Sequence, residues 1–411
     1  MKKEFLNLGK QPIANAFLYE EDIPEEFFFD LRVVFDEDTK LVSLKDFVKP
    51  ELMFNENYVY VSSMSQTMRE HFKDAADRFR YKFIPKKVLE IGSNDGVFIK
   101  NFDPVDTIAV EPCGNFAKLT NEQGYKTYPN FWTTELSDKI VRNHGKQDLI
   151  FSANCMCHVQ DLGDAFTAIY NCLSDDGVFV FEDPSLEKMI TRNSYDQIYD
   201  EHAHIFSIIA LDNILSRHGL EIFDVENLSV HGGSNRVYVK KVDNTSLAVK
   251  RSVLENIKLE RDIGLDKFER FAEFADSVKR SKEELLFLLR KYKEEDKKIV
   301  SYGATSKSTT VFNYCGITSE HIDYIVDTTP HKQGKLAPGS HIPVISPEDG
   351  FDDTVDVAFL GAWNFSKEIY NKEIDFVSRG GIFISHVPEV ASYLGENISE
   401  IRERSKSGNQ R

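Results

Sequence analysis

The sequence predicts an α/β protein: a doubly wound parallel sheet, preceded by a small amino-terminal module and followed by a second α/β sheet. Three observations predict it. From Lys87 to about residue 245, short apolar or β-branched runs alternate with helical patterns, as successive β-α-β units require. The same alternation restarts at Lys298 after a highly charged helical stretch. Both stretches begin with a strand that runs directly into glycine, at Gly92 and at Gly303.

Taken in order, residues 1–65 mix Pro, acidic clusters and short β-rich runs at 31–35 and 41–44, the pattern of a small appended module. From Met68 to Lys82 the apolar spacing is helical and leads into a buried strand at 87–91. Further strands are expected at 107–111, 149–152, 178–182 and 236–240, giving a domain over 66–245. Residues 246–297 form a helical linker, in which Leu265, Phe268, Phe271, Phe274 and Val278 recur on one face and are expected to pack as core. The second domain spans 298–402, with strands at 299–302, 324–326, 355–360 and 381–385. The polar tail, 405–411, is expected to fray.

Composition narrows the function. A net charge of -17 excludes a general nucleic-acid or anionic-membrane binder, which needs surplus Lys and Arg to displace phosphate counterions. No apolar run reaches the ~20 residues that span a bilayer, and Met-Lys-Lys-Glu-Phe-Leu-Asn lacks the apolar core of a signal peptide, so the cytoplasm is the expected compartment. The five cysteines, Cys113, Cys155, Cys157, Cys172 and Cys315, are odd in number and scattered. No disulfide framework is expected, and no metal, because Cys155 and Cys157 are separated by one residue and have no second pair.

The chemistry is expected at the sheet edge. In Leu89-Glu90-Ile91-Gly92-Ser93-Asn94-Asp95-Gly96, the glycines let backbone approach a nucleotide-type cofactor at the carboxyl end of a strand. Their spacing, with amide and acidic residues between, departs from the three-glycine pyrophosphate fingerprint and suits a cationic aminoacyl end. Glu111 ends the next strand, where a carboxylate can accept both ribose hydroxyls. The fourth strand runs into Asn154 and His158. These features together resemble class I S-adenosylmethionine-dependent methyltransferases, which implies that Glu90, Gly92, Asn94, Gly96, Glu111 and Asn154 hold that cofactor.

A second cluster, Tyr195-Asp196-Gln197-Ile198-Tyr199-Asp200-Glu201-His202, sets a phenol, two carboxylates and an imidazole in four consecutive residues, with His204 just beyond. Such groups can move a proton next to a carbonyl. Taken alone, the cluster reads equally as a polar surface turn.

Five segments narrow the resemblance: 9–17 (Gly-Lys-Gln-Pro-Ile-Ala-Asn-Ala-Phe), 58–63 (Tyr-Val-Tyr-Val-Ser-Ser), 199–202, 231–236 (His-Gly-Gly-Ser-Asn-Arg) and 334–339 (Gly-Lys-Leu-Ala-Pro-Gly). Together they resemble the nucleotide-sugar C-methyltransferases of deoxysugar biosynthesis, over nearly the whole chain. The resemblance implies a zinc-type amino-terminal module and a Rossmann-like carboxyl-terminal domain for substrate. It implies His202 as base, Tyr199 and Glu201 beside it, and His158 and Tyr60 next to the sugar. Tyr58, Asn235, Arg236, Gly303, Lys307 and Lys335 are the implied substrate contacts, with Lys332 a further phosphate candidate. Trp363-Asn364-Phe365 also matches but is expected in the core.

Two departures stand out. The family's amino-terminal cysteines are missing, with Asp36 and Thr39 near where the second pair belongs, so the module is expected to fold without zinc. The family's Tyr-His-Glu-His reads Tyr199-Asp200-Glu201-His202 here. The implied reaction is methyl transfer to the carbon next to the ketone of a nucleotide-linked 4-keto-deoxysugar. Alternatives are O-methylation of a nucleotide-sugar hydroxyl, or a non-catalytic sugar-nucleotide-binding protein.

Overall fold

A computed structural model describes residues 1–56 and 58–394. The expected domain end at residue 402 and the tail at 405–411 lie outside the described residues. The chain divides into two compact units: 1–3, 34–187 and 201–270 make the first, while 4–33, 188–200 and the chain from Phe271 onward make the second.

The first eleven strands are β1 (Lys2–Pro12), β2 (Phe28–Asp36), β3 (Val42–Leu44), β4 (Val88–Ile91), β5 (Thr107–Val110), β6 (Lys126–Tyr128), β7 (Gln147–Ala153), β8 (Leu173–Pro184), β9 (His204–Ile205), β10 (Leu220–Leu228) and β11 (Ser234–Lys241). Seven of them form the main sheet of the first unit, in the order β10-β11-β8-β7-β4-β5-β6. The pairs from β6 through β8 are parallel, whereas β11 runs antiparallel to both β8 and β10. The sheet is therefore mixed, a correction to the expected parallel one. Between β10 and β11 there is no crossover helix, only the turn Val230–Gly232 followed by Gly233, so the chain reverses as a hairpin.

Both faces of this sheet are covered, as parallel strands require. The helix Gln66–Phe83 starts at Ser65, whose side chain accepts from the Met68 amide, and buries Met68, Phe72, Ala75, Ala76 and Phe79 along one stripe. Phe79 packs on Phe151 of β7 at 5.5 Å between ring centroids, and Phe98 stacks on Phe151 at 4.1 Å. Truncating a phenylalanine buried like Phe79 costs about 3–5 kcal/mol. Phe166, Ile169 and Leu173 belong to the core on the opposite face. Strand order reverses at β4, which has β5 on one side and β7 on the other. The crevice beyond their carboxyl ends is the switch point where such sheets bind ligands.

The amino-terminal strands form a separate sheet, in the order β1-β2-β3-β9. Its turn after β2 is fastened by side-chain oxygens: Asp36 Oδ1 accepts the Asp38 amide at 3.0 Å, and Thr39 Oγ1 accepts the Leu41 amide at 3.4 Å. Lys3 and Glu37 pair beside it at 2.6 Å.

The remaining strands are β12 (Ile299–Tyr302), β13 (Tyr324–Val326), β14 (Val344–Ile345), β15 (Val357–Leu360), β16 (Ile382–Ser385) and β17 (Ala391–Tyr393). They form one sheet in the second unit, in the order β14-β13-β12-β15-β16-β17, parallel except for β17. In the helix Phe268–Glu294, Phe271, Phe274 and Val278 are buried, so the stripe is core. Among the described residues no helix is long and apolar enough to cross a membrane.

Candidate active site

At the switch point of the first unit, the chain leaves β4 through Gly92 (φ 76°), Asn94 (φ 49°) and Gly96 (φ 80°). A Cβ on Gly92 would stand 2.7 Å from Cys155 Sγ, so both the backbone angle and the space demand glycine there. Glu111, just past β5, braces the turn: Oε2 accepts the Asn94 amide at 2.7 Å and Oε1 the Cys113 amide at 2.8 Å. A carboxylate offers about four acceptor positions, so two remain for ribose hydroxyls. The Asn94 side chain accepts the Ser62 amide at 2.9 Å and donates to the Tyr60 carbonyl at 3.1 Å, tying 60–62 to the turn.

Burial, with Glu111 close by, holds the Glu90 carboxyl well above the usual carboxylate range. Glu90 Oε2, Ser93 Oγ and Asp95 Oδ1 are buried without hydrogen-bond partners. Three unsatisfied polar atoms around a glycine cradle are what a polar aminoacyl ligand would satisfy. Across the crevice Asn154 (φ 49°) follows β7 and donates its amide to the Glu182 carbonyl at 2.6 Å. The six residues expected around the cofactor thus lie on the strand ends and turns of β4, β5 and β7.

Two of the catalytic candidates, His158 and His202, meet within the first unit. His158 lies in the short helix Met156–His158 that follows β7. Its ring stacks on His202 at 5.4 Å between centroids and on Phe54 at 5.2 Å. Burial pushes the His158 imidazole down to about 3, so it is neutral at any working pH. Glu201 Oε2 accepts the Tyr58 hydroxyl at 3.0 Å. Tyr60, by contrast, is 42% exposed as a residue. Tyr199 is half-buried and belongs to the second unit's chain segment, as does Asp200.

Asp200 is buried, and its Oδ1 accepts the Ala14 amide at 2.9 Å. The Ala14 carbonyl in turn accepts Thr309 Oγ1 at 3.0 Å, and Thr310 Oγ1 donates to the Ile198 carbonyl at 3.2 Å. The residue that departs from the family pattern therefore fastens the 9–17 segment within the second unit.

Two expected substrate residues have partners inside the main sheet. Arg236, 3% exposed, pairs through Nε with Glu182 at 2.6 Å and through a terminal nitrogen with Glu226 at 3.3 Å. Its charge is neutralised there. Asn235 accepts from Asn227 at 2.9 Å and donates to Ser185 at 3.3 Å.

In the second unit, Gly303 (φ 100°) follows β12 at that sheet's own reversal of order, and a Cβ there would stand 2.8 Å from Ala362 Cβ. Lys307 is half-buried at the start of the helix Ser306–Cys315. Lys335 lies over the Tyr19 ring at 5.2 Å, and Lys332 donates to the Ala304 carbonyl at 2.7 Å.

Several polar groups escaped the sequence reading. The Trp363 indole donates to Asp196 at 2.5 Å, and His386 lies 3.4 Å from the same carboxylate. Burial alone would raise Asp196, but His386, Lys307 and Trp363 hold it below the usual range. Trp363 is thus core, as expected, with a polar anchor. Asp183 at the end of β8 is pushed up to about 7 by burial, and the Cys157 thiol lies against it. His71 meets Glu182 at 2.6 Å. Only the sharp acidic pair Glu182-Asp183 after an apolar strand could have signalled these two.

Comparison with known proteins agrees with this architecture. Residues 229–388 match the family model for the C-methyltransferase C-terminal domain, 61–225 that for a methyltransferase domain, and 1–54 that for a zinc binding domain. The zinc that the last model implies does not fit, because residues 1–54 contain neither Cys nor His. Among solved structures, a S-adenosylmethionine-dependent methyltransferase from Clostridium acetobutylicum is 16% identical, with a TM-score of 0.33 over 42% of this chain and 92% of its own. The CcbJ methyltransferase from Streptomyces caelestis is 11% identical, with a TM-score of 0.33 over 41% and 89%. The C-methyltransferase NovU of Streptomyces niveus is 31% identical over 392 residues, covering 94% of this chain and 93% of that protein. The chain belongs to the C-methyltransferase family and is an S-adenosylmethionine-dependent methyltransferase.

Proposed function

We propose that the enzyme methylates a nucleotide-linked 4-keto-deoxysugar at the carbon next to the ketone, with His202 as the base. The observation that carries this reading is the stacked His158–His202 pair, with His158 in the short helix that follows β7 and its imidazole held neutral by burial. A ketone acidifies the hydrogen on its neighbouring carbon. His202 takes that proton and leaves an enolate. Neutral His158 is suited to donate a hydrogen bond to the enolate oxygen, and cannot serve as a cationic acid. Glu201, fixed by the Tyr58 hydroxyl, orients or supports the base, and Tyr199 supplies a phenol two positions earlier.

When bound, the cofactor would supply an electrophilic methyl group on a sulfonium. Glu90, Gly92, Asn94, Gly96, Glu111 and Asn154 would hold it. Gly303, Lys307 and Lys335 are the proposed partners of the nucleotide diphosphate, which makes the second sheet the nucleotide-holding domain. Tyr60 and Asn235 are secondary candidates beside the sugar, and Arg236 is assigned to the fold.

O-methylation needs a base but no ketone. Its main support in the sequence was the changed residue at Asp200, and the bond from Ala14 gives that carboxylate a structural use instead. The test is a panel of nucleotide sugars with and without a 4-keto group, incubated with S-adenosylmethionine and analysed by mass spectrometry. Methyl gain confined to keto sugars supports the proposal, and methylation of non-keto sugars overturns it.

A further inference from the structure

We infer that Cys157, His158 and His202 form a binding site for a thiophilic divalent cation, Zn2+ foremost, and that its occupancy arrests methyl transfer. The arrest rests on the proposed role of His202. The cation site itself does not.

One ligand atom from each of the three residues lies within 4.8 Å of the others, the single Cys/His/carboxylate group of this kind among the described residues. Tetrahedral zinc with Cys and His ligands needs donor atoms about 3.5 Å apart, so side-chain adjustments of about an ångström close the site. Cys157 and His158 come from one short turn after β7, and His202 from a different segment, so two supports define three ligands. Cys157 and His202 are only 2% and 5% exposed. Such a site is shielded from competing water.

The surroundings favour a cation. Asp183 and Glu201 lie close enough to the Cys157 thiol to act on it, so two carboxyl groups stand near the donor set. Carboxylates behind metal ligands orient them and increase their basicity. On loading, the Cys157 S–H bond breaks, its proton goes to solvent, and the sulfur electron pair forms the bond to the cation. The His202 lone pair is used in the same act. It can then accept no proton from substrate.

Three ligands leave one coordination position open, as in zinc sites that keep a water. Neither Cys155 nor the amino-terminal module takes part. Residues 1–54, although matched by a zinc-domain model, contain no thiol or imidazole.

The test uses the full-length, metal-free enzyme. Titration with Co2+ is expected to give a thiolate-to-cobalt charge-transfer absorption at one equivalent, bleached by Zn2+ and absent in Cys157→Ser and Cys157→Ala. Zn2+ is expected to inhibit the unmodified enzyme, and roughly tenfold or more weakly to inhibit the Cys157 variants, whose metal-free rate stays within about twofold. Should Cys157→Ala fail to fold, the smaller change to Ser carries the comparison. No cobalt–thiolate band in the unmodified protein, or equal zinc inhibition in the variants, overturns the proposal. A cobalt band in a protein that methylates no keto sugar would keep the cation site and defeat the functional reading instead.

Discussion

Replacing His202 by Ala removes the proposed base and leaves the cofactor turn intact. General base catalysis is worth about 100- to 10,000-fold, so kcat should fall within that range while affinity for S-adenosylhomocysteine, measured by calorimetry, stays unchanged. A joint loss of both would make His202 a structural residue. Asp183 offers a pH-dependent counterpart. Its carboxyl is raised from 3.8 to about 7 by burial, so folding is favoured by the protonated form. That contribution is complete below about pH 4 and is lost as pH rises through 7; the difference corresponds to about 4 kcal/mol at most. Asp183→Asn should therefore raise the Tm at pH 8 and change it little at pH 4, as followed by circular dichroism. A larger gain at pH 4 would reverse the sign. At this scale the positions of Glu111 just past β5 and His158 just past β7 were legible in the sequence, because strand spacing fixes them. The sequence hid the stacking of His158 on His202 and the bond between Trp363 and Asp196, whose partners lie 167 residues apart and meet only through tertiary folding.

Between residues and the molecule stand two fastened segments. The turn after β4 depends on Gly92, where a side chain would meet both a positive φ and the Cys155 sulfur. Gly92→Ala should weaken cofactor binding roughly tenfold or more and lower the Tm; unchanged affinity would show that the turn can yield. The 199–202 segment is fastened through Asp200 to the Ala14 amide. Asp200→Ala should cost about 1–3 kcal/mol in thermal unfolding, and Asp200→Asn, which keeps an acceptor oxygen, should restore most of it. Strands β4, β5, β7 and β8 were legible as apolar runs. The antiparallel course of β11 was not, since direction is set by the length of its connection to β10 rather than by composition. β6 and β14 are three and two residues long, too short to carry a period.

At the scale of the whole chain, residues 1–54 hold no Cys or His, and the turn after β2 is fastened by hydrogen bonds and an ion pair. The protein should unfold cooperatively in the presence of a chelator; loss of its far-ultraviolet sheet signal on chelation would contradict the zinc-free module. Family membership was readable from motifs spread between Gly9 and Gly339, whereas the use of Asp200 as an anchor required coordinates. The central claim, proton abstraction next to a ketone by His202, is tested most directly by solvent exchange without turnover. The enzyme is incubated in deuterated water with a nucleotide-linked 4-keto-deoxysugar and S-adenosylhomocysteine in place of the methyl donor, and the sugar is examined by mass spectrometry and NMR. Deuterium should enter at the carbon next to the ketone with the unmodified enzyme and fall to background with His202→Ala; equal exchange in both, or none in either, would contradict the account.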